Sequence, residues 1–299
     1  MELWIPVTLA AASFQTARFM LQKTLSTTRL SAAGATFARF LYSAPFVLIA
    51  LAIYLYATGK SLPPLGPAFW GFAAVGGLTQ ILATVFVVML FKQRNFAVGI
   101  TFKKTEVIQT ALVGWVVLGE GVSLPAFLAI LIGLIAVLIL SNTPEITGPW
   151  WRQLTSRGPL LGLGSGVLFA ISGVTYRGAS LQLDLAAPER AGITLAAVVT
   201  MQMIAMAVWL TWREPTEIRA VWAARRTAVW IGLTSMAGSF CWFTAFTLQN
   251  AAYVNALGQI EMVLSLLATV LFFREKVSTR ELFGMALLGL SILVLIAVI

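Results

Sequence analysis

The feature that most constrains this chain is a succession of long apolar stretches separated by short connections. Crossing a hydrocarbon core of roughly 30 Å takes about 20 apolar residues in a helix. Lipid offers no partner to a free backbone N–H or C=O, so stretches of that length become spanning helices. Ten are predicted: Leu3–Gln22, Ala35–Tyr56, Ala68–Leu90, Ala97–Leu118, Leu124–Leu140, Gly158–Gly178, Gly192–Trp212, Ala228–Leu248, Ala252–Phe273 and Glu281–Ile299. Between them fall helix-breaking runs such as Pro63-Pro64-Leu65-Gly66-Pro67 and Asn142-Thr143-Pro144. No connection is long enough for a soluble domain.

Composition agrees with lipid as the main solvent, since 59% of the 299 residues are apolar and 10% are charged. The net charge of +9 does not point to nucleic acid, because the Lys and Arg residues stand singly or in pairs between apolar runs and form no basic face. Connections lying against anionic lipid account for it better. The one cysteine, Cys241, sits in an apolar segment and reads as a buried structural thiol, with no disulfide or cysteine metal cluster within the chain. Met1 to Leu21 has Glu2 where a signal peptide would carry basic residues, and reads as the first span.

Internal repetition gives the architecture. Shifting residues 77 to 123 forward by 155 positions without a gap lays Gly77, Leu78 and Thr79 on Gly232, Leu233 and Thr234. Phe91, Asn95 and Ala97 fall on Phe246, Asn250 and Ala252, and Leu112, Glu120, Val122 and Ser123 fall on Leu267, Glu275, Val277 and Ser278. Glu106 falls on Glu261, a pairing of rare acids that apolar composition would not produce. A shift of 159 similarly lays Ser13, Thr16 and Arg18 on Ser172, Thr175 and Arg177. The expected fold is therefore an all-α integral membrane protein with two five-helix repeats, residues 1–145 and 155–299. Five is odd, so the second repeat enters the membrane inverted, around a pseudo-two-fold axis in the membrane plane. Basic residues crowd the connections after helices 1, 3, 5, 7 and 9, among them Lys23, Lys92, Arg152, Arg219 and Arg274, which predicts those connections to be cytoplasmic and both termini outside.

Two motifs now matter. Leu118-Gly119-Glu120-Gly121-Val122-Ser123 joins helices 4 and 5, with a weaker copy at Phe273-Arg274-Glu275-Lys276-Val277-Ser278, and Ala38-Arg39-Phe40-Leu41 opens helix 2. In a ten-helix duplicated frame these resemble the drug/metabolite transporter superfamily, EamA type, over essentially the whole chain. The resemblance implies secondary transport, commonly export of metabolites, amino acids or drugs, by alternating access around a central cavity, in the bacterial inner (plasma) membrane. Many relatives carry proline midway along helices 4 and 9, where this chain has Val107 and Met262, so a kink here lacks its usual cause. Relatives also often place both termini in the cytoplasm, against the charge count.

Glu106 and Glu261 are expected near mid-bilayer, where a carboxylate costs several kcal/mol unless protonated, paired or in a wet cavity. Each reads as a substrate or proton site at the repeat interface, or as half of a buried ion pair. Lys103, Glu106 and Thr110 share one stripe of helix 4, while Lys104 is rotated about 100° away and can snorkel to the interface. Arg18, beside Gln15 and Gln22 on helix 1, and Arg177 on helix 6 are candidate anion grips, as is Arg39 on helix 2. Gln80 and Thr84 on helix 3 are matched by Ser235 and Ser239 on helix 8, followed by Trp242. Such small polar residues also glue helices together. Gly158, Gly162 and Gly166 suit close packing, Glu120 and Glu275 a structural role, and Trp150 and Trp151 an interfacial one.

No hydrolase triad, phosphate loop or metal cluster occurs, and there is no histidine to serve as a neutral-pH base. The expected activity is transport of a small anionic or zwitterionic metabolite, with no cofactor or metal, no catalytic residue, lipid and the substrate as partners, and protons as a candidate coupling ion. A lipid- or drug-handling transporter of the same fold is the alternative. A membrane enzyme or a non-transporting partner protein is the alternative of another class.

Overall fold

A computed structural model describes residues 2–93, 96–141, 157–264, 266 and 278–299. Asn95, the Asn142-Thr143-Pro144 connection, Trp150, Trp151, Arg152, Leu267 and the Phe273 to Val277 run with Glu275 lie outside the described residues. Among the described residues every regular element is helical: α1 (Trp4–Thr28), α2 (Ala32–Thr58), α3 (Pro67–Phe91), α4 (Phe96–Lys103), α5 (Glu106–Leu118), α6 (Leu124–Leu140), α7 (Arg157–Ser180), α8 (Ala187–Arg213), α9 (Pro215–Ala223), α10 (Arg225–Leu248), α11 (Ala251–Gly258) and α12 (Thr279–Val298).

Six of these, α2, α3, α7, α8, α10 and α12, are long and apolar enough to cross a membrane, and α6 is a shorter apolar helix. The chain is an integral membrane protein. Many of its largest apolar side chains, such as Ile53, Trp115, Val208 and Leu293, face outward, as they must where the surrounding medium is lipid. The helix α9 was not expected from sequence, where residues 215–223 read as part of a basic connection; Pro215 at its first position suits a helix start.

The main correction concerns the predicted fourth span, Ala97–Leu118, which is not one continuous helix. It is interrupted at Lys104 and Thr105, where backbone bonds tighten to three-residue spacing, Lys104 N–H to Thr101 O and Thr105 N–H to Phe102 O. In the predicted ninth span α11 stops at Gly258 and the chain is helical again at residues 261–264. There Gln259 N–H bonds Ala256 O and Ile260 N–H bonds Leu257 O. The two interruptions stand 155 residues apart, Lys104 against Gln259 and Thr105 against Ile260; neither contains proline, and the second follows directly on Gly258.

Tight packing holds the first interruption in place. A Cβ on Gly162 would lie 2.0 Å from Gly99 O, and one on Gly166 would lie 3.1 Å from Lys103 O, so glycine alone lets α7 meet the α4 backbone this closely. At the far end of α5, Gly119 adopts φ 69° and closes the helix, with Gly119 N–H bonding Trp115 O and Glu120 N–H bonding Gly114 O. That left-handed cap explains the Leu118-Gly119-Glu120 turn. Ser123 and Ser278 then start α6 and α12 as N-caps, Ser278 in a full capping box with Glu281. In the packing, α3 lies most extensively against α7, α1 against α10, and α6 against α12, while α2 lies against α8 and α10.

Candidate functional site

The interruptions bring charge into the centre of the bundle. Lys103 closes α4, Glu106 opens α5, and Glu261 begins the helical run after α11, so ionic side chains come from helix ends. Around them lies a polar cavity of about 60 Å³ lined by Gln15, Arg18, Arg39, Gln80, Lys103, Glu106, Ser172, Tyr176, Ser239, Trp242, Asn255, Gln259, Glu261 and several phenylalanines. Seven of the nine residues singled out from sequence line it: Glu106, Glu261, Lys103, Arg18, Arg39, Gln80 and Trp242. Thr110 stands one layer back, its hydroxyl accepting from Asn255 Nδ2 at 2.9 Å. Arg177 does not reach the cavity.

Four cations are buried here, with Arg18 and Arg39 4% exposed, Lys103 6% and Lys104 2%. Two carboxylates face them. Lys103 Nζ pairs with Glu106 Oε2 at 2.9 Å and lies over the Phe169 ring. Lys104 pairs with Glu261 Oε1, and Gln15 Nε2 donates to Glu261 Oε2 at 2.8 Å. Lys104 is therefore no snorkelling lysine: the tightened turn swings it inward against the acid of the other half.

The guanidiniums have no acid of their own among the described residues. Arg39 donates from Nε to Ser235 Oγ at 2.8 Å, from Nη1 to Thr84 Oγ1 at 3.2 Å and from Nη2 to Ser239 Oγ at 3.3 Å, three neutral hydroxyls from two helices. Arg18 donates to Gln22 Oε1 at 2.7 Å and lies over Phe19. Among the described residues four buried cations stand against two carboxylates, an excess of two positive charges in a region where each uncompensated charge costs several kcal/mol. Aromatic stacks, Tyr176 on Phe243 and Trp242 on Phe246, wall the cavity. Trp242 Nε1 and Gln259 Oε1, both buried, have no hydrogen-bond partner.

Arg177 has a different setting. Its Nε donates to both oxygens of Glu120 at 2.8 Å, and its Nη1 donates to the carbonyls of Phe246, Thr247 and Gln249 that end α10. It ties the Gly119 turn to the end of α10.

Sequence reasoning missed Tyr176, Gln202, Asn255 and Gln259. Gln202 donates to Gly77 O and to Gln80 Oε1, both at 3.0 Å, which fixes Gln80. The signal for Gln259 was present, because the 155-residue shift lays it on Lys104.

Residues 156–297 match the EamA-like transporter family. The match covers a little less than half of the chain, and over those residues the chain is similar to that family. The family is one of the drug/metabolite transporter superfamily, the same kinship that the Leu118 to Ser123 turn suggests for the first half. A solved structure described only as "Crystal structure of protein" shares the fold, with a TM-score of 0.70 and 17% identity, over 99% of this chain and 98% of its own. A search of curated proteins finds no match.

Proposed function

We propose that the chain is a secondary active transporter that moves a small anionic or zwitterionic metabolite by alternating access at the central polar cavity. The observation that carries this reading is the pair of uncompensated buried guanidiniums, Arg18 and Arg39. A buried cation without a counter-charge is costly, and an anion entering the cavity offsets that cost. Arg39 and Arg18 bind the anion, Gln80, Trp242 Nε1 and Gln259 Oε1 hydrogen-bond its polar groups, and Lys103–Glu106 and Lys104–Glu261 shape the site. Glu106 and Glu261 are the acids lining the cavity and the candidate proton carriers. Thr110, through Asn255, and Arg177, through the end of α10, position the helices around it.

The frame for this movement is two inverted five-helix repeats, residues 1–145 and 155–299. Two interruptions 155 residues apart support that reading, and so does the reciprocal pairing of α1 with α10 and α3 with α7. Export across the bacterial inner membrane is the direction and place that the family resemblance implies.

The test is flux in proteoliposomes holding the purified protein, with labelled carboxylates, amino acids and cationic amines as the panel. Anions or zwitterions are expected to move and amines not, and Arg39→Gln is expected to lower that flux at least about tenfold. Preferred amine flux, or an Arg39→Gln variant as fast as the parent, contradicts the reading. A lipid- or drug-handling transporter is the second reading, favoured by an apolar chamber of about 380 Å³ between α2, α8 and α10.

A further inference from the structure

The apolar chamber and the polar cavity are not separate features. The chamber is walled by side chains such as Val47, Leu51, Ile193, Leu195, Met236 and Phe240, and its polar groups, Tyr54, Lys60, Ser61 and Glu189, come from the last turns of α2, the connection after it and the first turn of α8. A narrow space of about 10 Å³ lies between the two and shares lining residues with each. On its inner side this space shares Arg39, Gln80 and Ser239 with the polar cavity, and on its outer side it shares Val47, Leu195 and Met236 with the chamber.

The sizes are complementary. At about 60 Å³ the polar cavity admits a charged group and a water or two, not a whole metabolite. At about 380 Å³ the chamber lies in the range that holds small organic ligands, and its mid-depth lining offers such a ligand nothing but apolar contact. Arg39 stands at the partition with its guanidinium spread over three hydroxyls, which a stronger acceptor can replace without leaving an acid unpaired.

We propose that the two spaces are the head and body subsites of one elongated site, and that the substrate is an amphipathic organic anion whose charged group sits at Arg39 while its apolar body fills the chamber behind Met236. This rests on the reading of the polar cavity as an anion site. It adds the chemistry of the uncharged part, which the cavity's charges do not specify. Met236, Leu195 and Val47 then set which bodies are accepted, and Arg39 sets the charge.

Permanently charged sulfonates of increasing body test it, with methanesulfonate, benzenesulfonate and naphthalenesulfonate titrated calorimetrically into the full chain in lipid nanodiscs and empty nanodiscs subtracted. Affinity is expected to rise at least about tenfold from methanesulfonate to naphthalenesulfonate, because the added apolar surface leaves water. Met236→Trp, which fills the chamber beside the partition, is expected to remove that rise while methanesulfonate binding stays within about twofold, and the retained binding shows that the variant is folded. Leu195→Phe provides a second filling at the same wall and is expected to cut the rise in part. A rise unchanged in both variants, or no rise in the parent chain, overturns the proposal while the anion site stands. No sulfonate binding to the parent chain at all overturns the anion reading itself, and this proposal with it.

Discussion

Glu106 and Glu261 stand 155 residues apart, each just after a helix interruption, and are equally enclosed, with 13% of each side chain exposed, yet they are held in opposite ways. Glu106 is paired by its own segment, with Lys103 three residues earlier, so its ion pair spans only the interruption between α4 and α5. Glu261 is paired from elsewhere, by Lys104 from the first half and by Gln15 from α1. Of two acids that coincide under the 155-residue shift, one is therefore a local clip and the other a tie between segments that must part if the cavity opens. Equal burial does not make the two equivalent; the difference lies in what each one joins.

Glu261→Gln is expected to produce the largest change, because it strands Lys104, 2% exposed, without its counter-charge and cuts the tie between the halves. The expected loss is about 4 kcal/mol of unfolding free energy, measured by reversible unfolding in bicelles. Adding Lys104→Met to Glu261→Gln removes the stranded charge and is expected to recover most of that loss. A Glu261→Gln variant as stable as the parent would break the comparison.

Glu106→Gln is expected to cost less, about 2 kcal/mol, since Lys103 keeps the Phe169 ring and the polar cavity beside it. Should the two variants lose equal stability, the distinction between clip and tie fails.

The smallest effect belongs to the pair at the mouth of the chamber, where the exposed Lys60 amine lies against Glu189 and Tyr54 lies against the same acid. The hydrogen bond to Glu189 pushes the Lys60 pKa above its ordinary 10.5. A raised folded value means that this contribution is fully present below about that ordinary pH and is lost as pH rises through the folded value. Glu189→Gln is expected to flatten the alkaline fall in melting temperature slightly and to leave neutral-pH stability almost unchanged. A large neutral-pH loss instead would show that this pair, too, ties helices together.

Much of this was legible because membranes impose simple rules. Apolar length picked out the six helices long enough to span, and the recurrence of glutamate at a fixed shift picked out the two acids that line the polar cavity. The interruptions were not legible, since Lys104-Thr105 contains no helix breaker, the second break is marked only by the single glycine Gly258, and Val107 and Met262 replace the prolines that would have announced a kink. What holds the first break is distant in sequence, the glycines of α7 that admit the α4 backbone. Lys104 was misread for the same reason, because its direction was counted on an unbroken helix. Arg177 looked like a counterpart of Arg18 by the repeat, but its partner Glu120 lies in a turn whose left-handed glycine only the backbone reveals.

The central claim, that the buried cationic cavity is reached from both sides of the membrane in turn, is tested most directly at Ser172, which lines that cavity and is 1% exposed. Ser172→Cys in a Cys241→Ser background changes one oxygen to sulfur and leaves a single thiol to modify. The measurement is the rate of its reaction with a membrane-impermeant maleimide in right-side-out and in inside-out vesicles. Alternating access predicts modification from each side, slowed in both by a transported anion. A thiol that reacts from one side only, or from neither, under any imposed pH gradient would contradict it.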